Sequence, residues 1–157
     1  MAGPLADQIV LKIQEVAALY YRLVIVASPA GSGKTKALQE VAARTRAPLI
    51  NLNLELSRRL LDLTKKQRAL QVPRALEEVV GSRGSVLLLD NTEIIFDVSL
   101  KLDPLRLLQG LSRNRTVVAS WNGTVEEGFL VYASPDHPEY QRYAARDLVV
   151  VFPEDAS

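Results

Sequence analysis

Apolar positions recur along this chain in two rhythms, and the rhythms alternate. Leu5, Ile9, Ile13, Val16 and Tyr20 fall at steps of 4, 4, 3 and 4, which is one face of an amphipathic helix with Pro4 suited to its first turn. Arg22 to Ala27 is then a short, β-branched apolar run, the pattern of a strand buried on both faces. A Gly-rich turn follows, and a helical pattern runs from Lys34 to about Arg44. Pro48 to Asn53 is a second strand, and helices follow over about Glu55 to Leu63 and about Lys66 to Val80. Ser85-Val-Leu-Leu-Leu-Asp90 is the clearest strand. Asp103-Pro104 caps and opens a helix through Leu111. The spacing then predicts strands over Thr116–Ser120 and Phe129–Ala133, a short helix over Pro138–Arg146, and a closing strand over Leu148–Phe152. Strands that alternate with helices in this way predict a parallel sheet covered on both faces, a three-layer α/β domain.

Length and composition narrow the chemistry. At 157 residues the chain suits one domain, with residues 1–20 as an N-terminal helix and 21–157 as the core. Hydrophobic residues at 48% and charged residues at 24% suit a globular chain rather than a disordered one. Nineteen basic residues against 18 acidic ones give a net charge of +1, so bulk charge does not mark a nucleic-acid or membrane binder. The absence of cysteine removes disulfides, Cys-ligated zinc, iron–sulfur clusters and thiol catalysis, and one histidine removes a His-rich metal site. The N-terminus lacks the basic and long apolar regions of a signal peptide, and no run is long enough to span a membrane. A soluble, cytoplasmic protein is expected.

The turn between the first strand and its helix carries the main chemical signal. It reads Ser28-Pro29-Ala30-Gly31-Ser32-Gly33-Lys34-Thr35, with Lys36 following. From Gly31 onward this fits the phosphate-binding loop G-x-x-x-x-G-K-[ST], and Ser28 stands where the first glycine is expected. Gly31 and Gly33 let successive backbone N–H groups turn towards phosphate oxygens, and the helix adds its positive end. Lys34 can reach the β- and γ-phosphates, and the Thr35 hydroxyl can ligate Mg²⁺, so ATP with Mg²⁺ is the expected ligand. Asp90 ends a buried strand 55 residues after Thr35, the position from which P-loop ATPases hold the Mg²⁺ through water.

The residues beyond are more ambiguous. A glutamate that orients water usually follows that aspartate; here it is Asn91, which can hydrogen-bond water but cannot take its proton. Glu93 could fold back over the γ-phosphate, or be a solvated loop carboxylate. Ser120 and Asn122 are the candidates for a γ-phosphate sensor, Asn122 first because its amide reaches further, although Asn before Gly123 also suits a turn. Trp121 reads as packing. Six basic residues against Asp62 between Arg58 and Arg74 read as a solvated helical face or as a nucleic-acid contact. His137, flanked by prolines, reads as a turn, and Tyr140 and Tyr143 as core or partner-facing.

Taken together, SPAGSGKT, VLLLDN with Glu93 beyond, LSRNR and SWNG resemble the AAA+ ATPase core. LLLDNTEIIFD, DPLRLLQGLSR, ASWNG and YASPDHPEY more narrowly resemble BrxF, the family of small P-loop proteins of type 3 BREX phage-defence systems. The resemblance implies an additional-strand (ASCE) P-loop NTPase sheet of order 5-1-4-3-2 and a homo-oligomer, with other phage-defence subunits as partners and DNA a possible one through Arg58 to Arg74. It also implies an arginine that reaches a neighbour's γ-phosphate, Arg113 first and Arg115 second; both also suit a helix end, where the dipole favours them. The chain stops at Ser157, so the C-terminal helical lid of AAA+ proteins is expected to be missing, with the N-terminal helix covering part of the adenine in its place. Two functions follow from these readings. One is an oligomeric ATPase, switch or motor, with weak hydrolysis alone, in which Glu93, Asn91, Arg113 and Asn122 do the chemistry. The other is a nucleotide-gated assembly module that barely turns ATP over.

Overall fold

The architecture is set by which way each strand's side chains point. The computed structural model describes residues 4–29, 33–81 and 84–153. Its helices are α1 (Pro4–Val16), α2 (Lys34–Thr45), α3 (Leu52–Leu60), α4 (Lys65–Val80) and α5 (Pro104–Leu111). Its strands are β1 (Leu23–Ser28), β2 (Leu49–Asn51), β3 (Val86–Asp90), β4 (Thr116–Glu126), β5 (Phe129–Tyr132), β6 (Gln141–Ala144) and β7 (Val149–Val151). The parallel part of the sheet runs β2-β3-β4-β1-β7, so β1 lies between the two strands that come last in this part.

Period-2 alternation in the central strands feeds two separate cores. Leu23, Ile25 and Ala27 of β1, Leu87 and Leu89 of β3, and Val117, Ala119 and Trp121 of β4 face the side covered by α3, α4 and α5. Val24, Val26, Leu88 and Val118 face the other side, against Leu5 and Ile9 of α1 and Leu38 and Val41 of α2. Through their centres these strands are apolar on both faces because neither face meets water. The result is a three-layer α/β fold with a mostly parallel sheet.

Local signals explain the helix starts. The Asn51 side chain accepts from Leu54 N at 3.0 Å and starts α3 three residues before the position the apolar spacing predicts. A capping box joins Thr64 and Gln67 at the start of α4, and Asp103 Oδ1 accepts from Arg106 N at the start of α5.

Several segments differ from the sequence expectation. β4 does not stop at Ser120. It continues through Glu126 and turns back into β5, so Asn122 and Gly123 are strand residues rather than a turn. The Pro138–Arg146 segment is not a helix: residues 141–144 form β6, antiparallel to β5. Tight turns at His137 and Tyr140 precede it, with His137 N donating to Ser134 O and Tyr140 N to His137 O. Pairing with β5 then sets Tyr143 against Trp121 (ring centroids 6.0 Å) and Arg142 over Phe129, contacts that a helix would forfeit. The closing strand is also shorter than expected, since Phe152 lies beyond β7 and is 53% exposed.

Candidate functional site

The parallel strands all point their C-terminal ends to one edge, and the chemically marked residues collect there. Ser28 closes β1, Asp90 closes β3, and Asn122 sits on β4 directly opposite Ser28. In open α/β sheets this carboxyl edge is where ligands bind. Gly33 adopts a left-handed conformation (φ 91°) that a side chain would strain, and it turns the chain into α2. Lys34 and Thr35 are the first two helical residues. Ala30, Gly31 and Ser32 lie outside the described residues.

Three contacts define the geometry. Thr35 Oγ1 donates to Asp90 Oδ2 at 2.6 Å, joining two residues 55 positions apart. Lys34 Nζ donates to the carbonyl oxygens of Ser28 at 2.7 Å and Pro29 at 2.9 Å. Of the three N–H donors of an ammonium, that leaves one for the cleft. Glu93 Oε2 accepts from Asn122 Nδ2, so the carboxylate is drawn inward to the sheet edge instead of standing in solvent. A cleft of about 550 Å³ is lined by Lys34, Thr35, Asp90, Asn91, Glu93 and Asn122, together with Gly33, Lys36 and Gln39.

Electrostatics follow from this crowding. Burial lowers the Lys34 pKa from its ordinary value, and the carboxylates of Glu93 and Asp90 pull it partly back. Asp90 is fixed from both sides, since its Oδ1 accepts from Asn91 N at 2.9 Å. Asn91 is left-handed (φ 54°), a conformation that Asn tolerates better than most residues, and its carbonyl accepts from Asn53 N. Thr92 Oγ1 donates to Ser120 O at 2.6 Å, binding the turn after β3 to β4. The hydroxyl of Thr35 and the carboxylate of Asp90 are hard oxygen donors, the set that suits Mg²⁺ completed by waters and phosphate oxygens. Among the described residues there is no cluster of three or more His, Cys, Asp or Glu that could hold a metal by itself.

The expected arginines are elsewhere. Arg113 and Arg115 precede β4, at the strand-start edge, about 20 Å of strand length from Asn122 at some 3.3 Å per residue. The Arg113 guanidinium lies 5.2 Å from the Tyr20 ring centroid, and its carbonyl accepts from Arg22 Nη2. Arg115 Nη1 is buried and has no hydrogen-bond partner among the described residues. Among the described residues, none of α1 lines the cleft around Lys34 and Asp90. Much of the basic segment is engaged within the chain: Arg58 and Arg59 pair with Glu55, and Arg68 donates to the carbonyls of Leu61 and Leu63.

Sequence reasoning missed a second cleft of about 420 Å³, which shares Asn122 with the first and is bordered by Pro29. Its other walls include Tyr132, His137 and Glu139. Only the unforeseen β4–β5 pairing brings these residues to the carboxyl edge of the sheet.

Neither a family model nor a curated protein matches this sequence. Among solved structures, the chain is similar to that of C. elegans PCH-2, at 17% identity and a TM-score of 0.34. That match covers 78% of this chain, which spans 37% of the PCH-2 chain. No described helix is long and apolar enough to cross a membrane.

Proposed function

We propose that this chain is one nucleotide-binding unit, a P-loop ATPase subunit of AAA+ type that binds ATP with Mg²⁺ and works as an oligomer. The observation that carries the reading is the Thr35–Asp90 hydrogen bond beside Lys34. It brings the hydroxyl after the loop lysine to the carboxylate that ends the neighbouring buried strand, as a shared Mg²⁺ would require. Read from the other edge, the parallel strands run from the closing strand through β1, β4 and β3 to β2, an order that supports the same class. Within that class, Lys34 balances phosphate charge, Glu93 orients the attacking water and Asn122 senses the γ-phosphate. Mg²⁺ would supply further neutralisation of the phosphate oxygens.

The sequence segments around Asp90, Asp103, Trp121 and His137 support a finer placement, as a cytoplasmic subunit of a BREX-type phage-defence system. Asn91 in the usual base position, and the Asn122 amide already engaged by Glu93, favour a second reading, a nucleotide-gated module with little turnover. The two are separated by measuring ATP turnover per chain against protein concentration, with and without double-stranded DNA, using Lys34→Ala as the blank. Per-chain activity that rises with concentration is expected. A flat line at the blank with nucleotide still bound selects the gate, and intact nucleotide binding in Lys34→Ala removes the P-loop reading altogether.

A further inference from the structure

The strand-start edge of the sheet, at the far end from both clefts, carries arginines and exposed rings that the nucleotide reading leaves without a ligand. Two segments meet there. Arg22 N donates to Ser112 O at 3.0 Å and Val117 N donates to Arg22 O at 2.8 Å, which sets residues 20–22 beside residues 112–115. Leu19 N donates to Val16 O at 2.9 Å, so the link from α1 into β1 is held at both ends. Tyr20 and Tyr21 stand on that link, 67% and 39% exposed, with ring centroids 4.8 Å apart. The Arg113 guanidinium lies over the Tyr20 ring, and the Arg113 carbonyl accepts from Arg22 Nη2 at 3.2 Å.

Charge at this edge is not balanced from within. The cations in ion pairs among the described residues are Lys12, Arg44, Arg58, Arg59 and Arg106. Arg22, Arg113 and Arg115 belong to none of these pairs, and Arg115 Nη1 has no acceptor among the described residues. An arginine without a carboxylate suits a phosphate, which its planar fork meets with paired hydrogen bonds. An exposed phenol ring suits an unstacked base, since every base offers a π face. The segment from Arg58 to Arg74 lacks this combination. It contains no aromatic residue, and Arg58, Arg59 and Arg68 are engaged within the chain. A duplex keeps its bases stacked on one another, so the open rings favour a single strand.

We propose that this edge binds single-stranded nucleic acid, with bases stacking on Tyr20 and Tyr21 and phosphates meeting Arg22 and Arg113. Affinity then has two separable parts. Stacking is uncharged and responds little to salt, whereas each phosphate contact releases counterions and weakens as salt rises. A neighbouring copy that drew on Arg113, as the AAA+ resemblance implies, competes with the nucleic acid for this edge.

The test is fluorescence anisotropy of a labelled oligothymidine of about 20 nucleotides, somewhat longer than the roughly 4–16 that one small binding domain covers. The full chain is titrated without nucleotide, so the outcome is independent of the P-loop reading. Wild type is expected to bind, with affinity falling as salt rises from about 50 to about 200 mM. Tyr20→Ala should weaken binding about tenfold at every salt concentration, and Tyr20→Phe should bind as wild type does, because stacking needs the ring and not its hydroxyl. Arg113→Ala should instead make the slope of log affinity against log salt shallower by about 0.7, the share of one phosphate on a single strand. Absence of wild-type binding at about 50 mM salt overturns the proposal, as does a Tyr20→Ala protein that binds as tightly as wild type. Tighter binding to the duplex of the same oligonucleotide with its complement also overturns it. So does a loss of binding confined to Lys65→Ala, Lys66→Ala and Arg74→Ala, which moves the contact to α4.

Discussion

Lys34 is held by two opposed influences, and the balance has a measurable consequence. Burial lowers its pKa below the ordinary 10.5, while Glu93 and Asp90 resist that shift. A cation with a lowered folded pKa costs stability wherever it is charged in both states. The cost is fully present below the folded pKa and disappears between that value and 10.5. On the proposed P-loop reading, nucleotide affinity responds in the opposite sense, because the ammonium that would meet the phosphates is lost over the same window. ATP affinity should therefore fall about ten- to a hundredfold as pH rises from neutral towards 10.5, the scale of a charge-assisted hydrogen bond. A binding titration across that range tests this, and an affinity unchanged up to 10.5 would free Lys34 from the phosphate role. At this scale much of the site was legible. Lys34, Thr35 and Asp90 are tied to recognisable strand–loop–helix context, and the structure bonds Thr35 to Asp90 and sets Lys34 in the same cleft. Gln39, Tyr132, His137 and Glu139 carried no such signal, because nothing in their local sequence shows which cleft they border.

Elements were legible where hydrophobic period alone decides, and misread where pairing decides. The strands β1 and β3 announce themselves because every position of β1, and every position of β3 after Val86, is buried. The segment after Pro138 has helix-compatible residues, and only a partner strand recruits it to β6. The same partner explains the length of β4, whose second half turns from parallel neighbours to an antiparallel one. Gly123 marks the transition. A Cβ there would stand 1.8 Å from the Val131 carbonyl oxygen, a backbone atom that cannot simply rotate away. That carbonyl also accepts from Trp121 Nε1 at 3.1 Å, which pins the crossing. Gly123→Ala should destabilise the fold by about 3 kcal/mol, at the upper end of overpacking effects, lowering Tm by roughly 6–12 °C for a chain of this size. Thermal unfolding followed by near-ultraviolet circular dichroism of Trp121 reads this directly. A shift below 2 °C, roughly half a kcal/mol on the same scale, would mean that β5 is not seated against β4.

The whole molecule has a polarity between its two sheet edges. The carboxyl edge carries both clefts, with Asp90, Glu93 and Glu139. The strand-start edge carries Arg113 and Arg115, along with Tyr20, whose 67% exposure leaves most of its ring uncovered. A transferred arginine can therefore serve a site only on another copy. Mixing Arg113→Ala with Lys34→Ala, each inactive alone, should restore up to about a quarter of wild-type turnover in a randomly assorted pair, the share expected when one site combines the two intact halves. No recovery at any mixing ratio would remove the shared site, and the same mixture made with Arg115→Ala decides between the two arginines.

The pairing of β1 has a further consequence, during synthesis. Its partners are β4, beginning with Leu23 opposite Val117, and β7, beginning with Val24 opposite Val149. A ribosome thus releases the phosphate loop and its apolar strand long before either neighbour exists. At about 5–20 residues per second, β1 waits several seconds with both edges unpaired. The nascent chain cannot assemble the cleft at Lys34 and Asp90 until Asn122 has emerged, so the ATP proposed to bind there could neither steady nor select the early intermediate. Growing the culture more slowly, or supplying a holdase chaperone, should raise soluble yield more than adding nucleotide would.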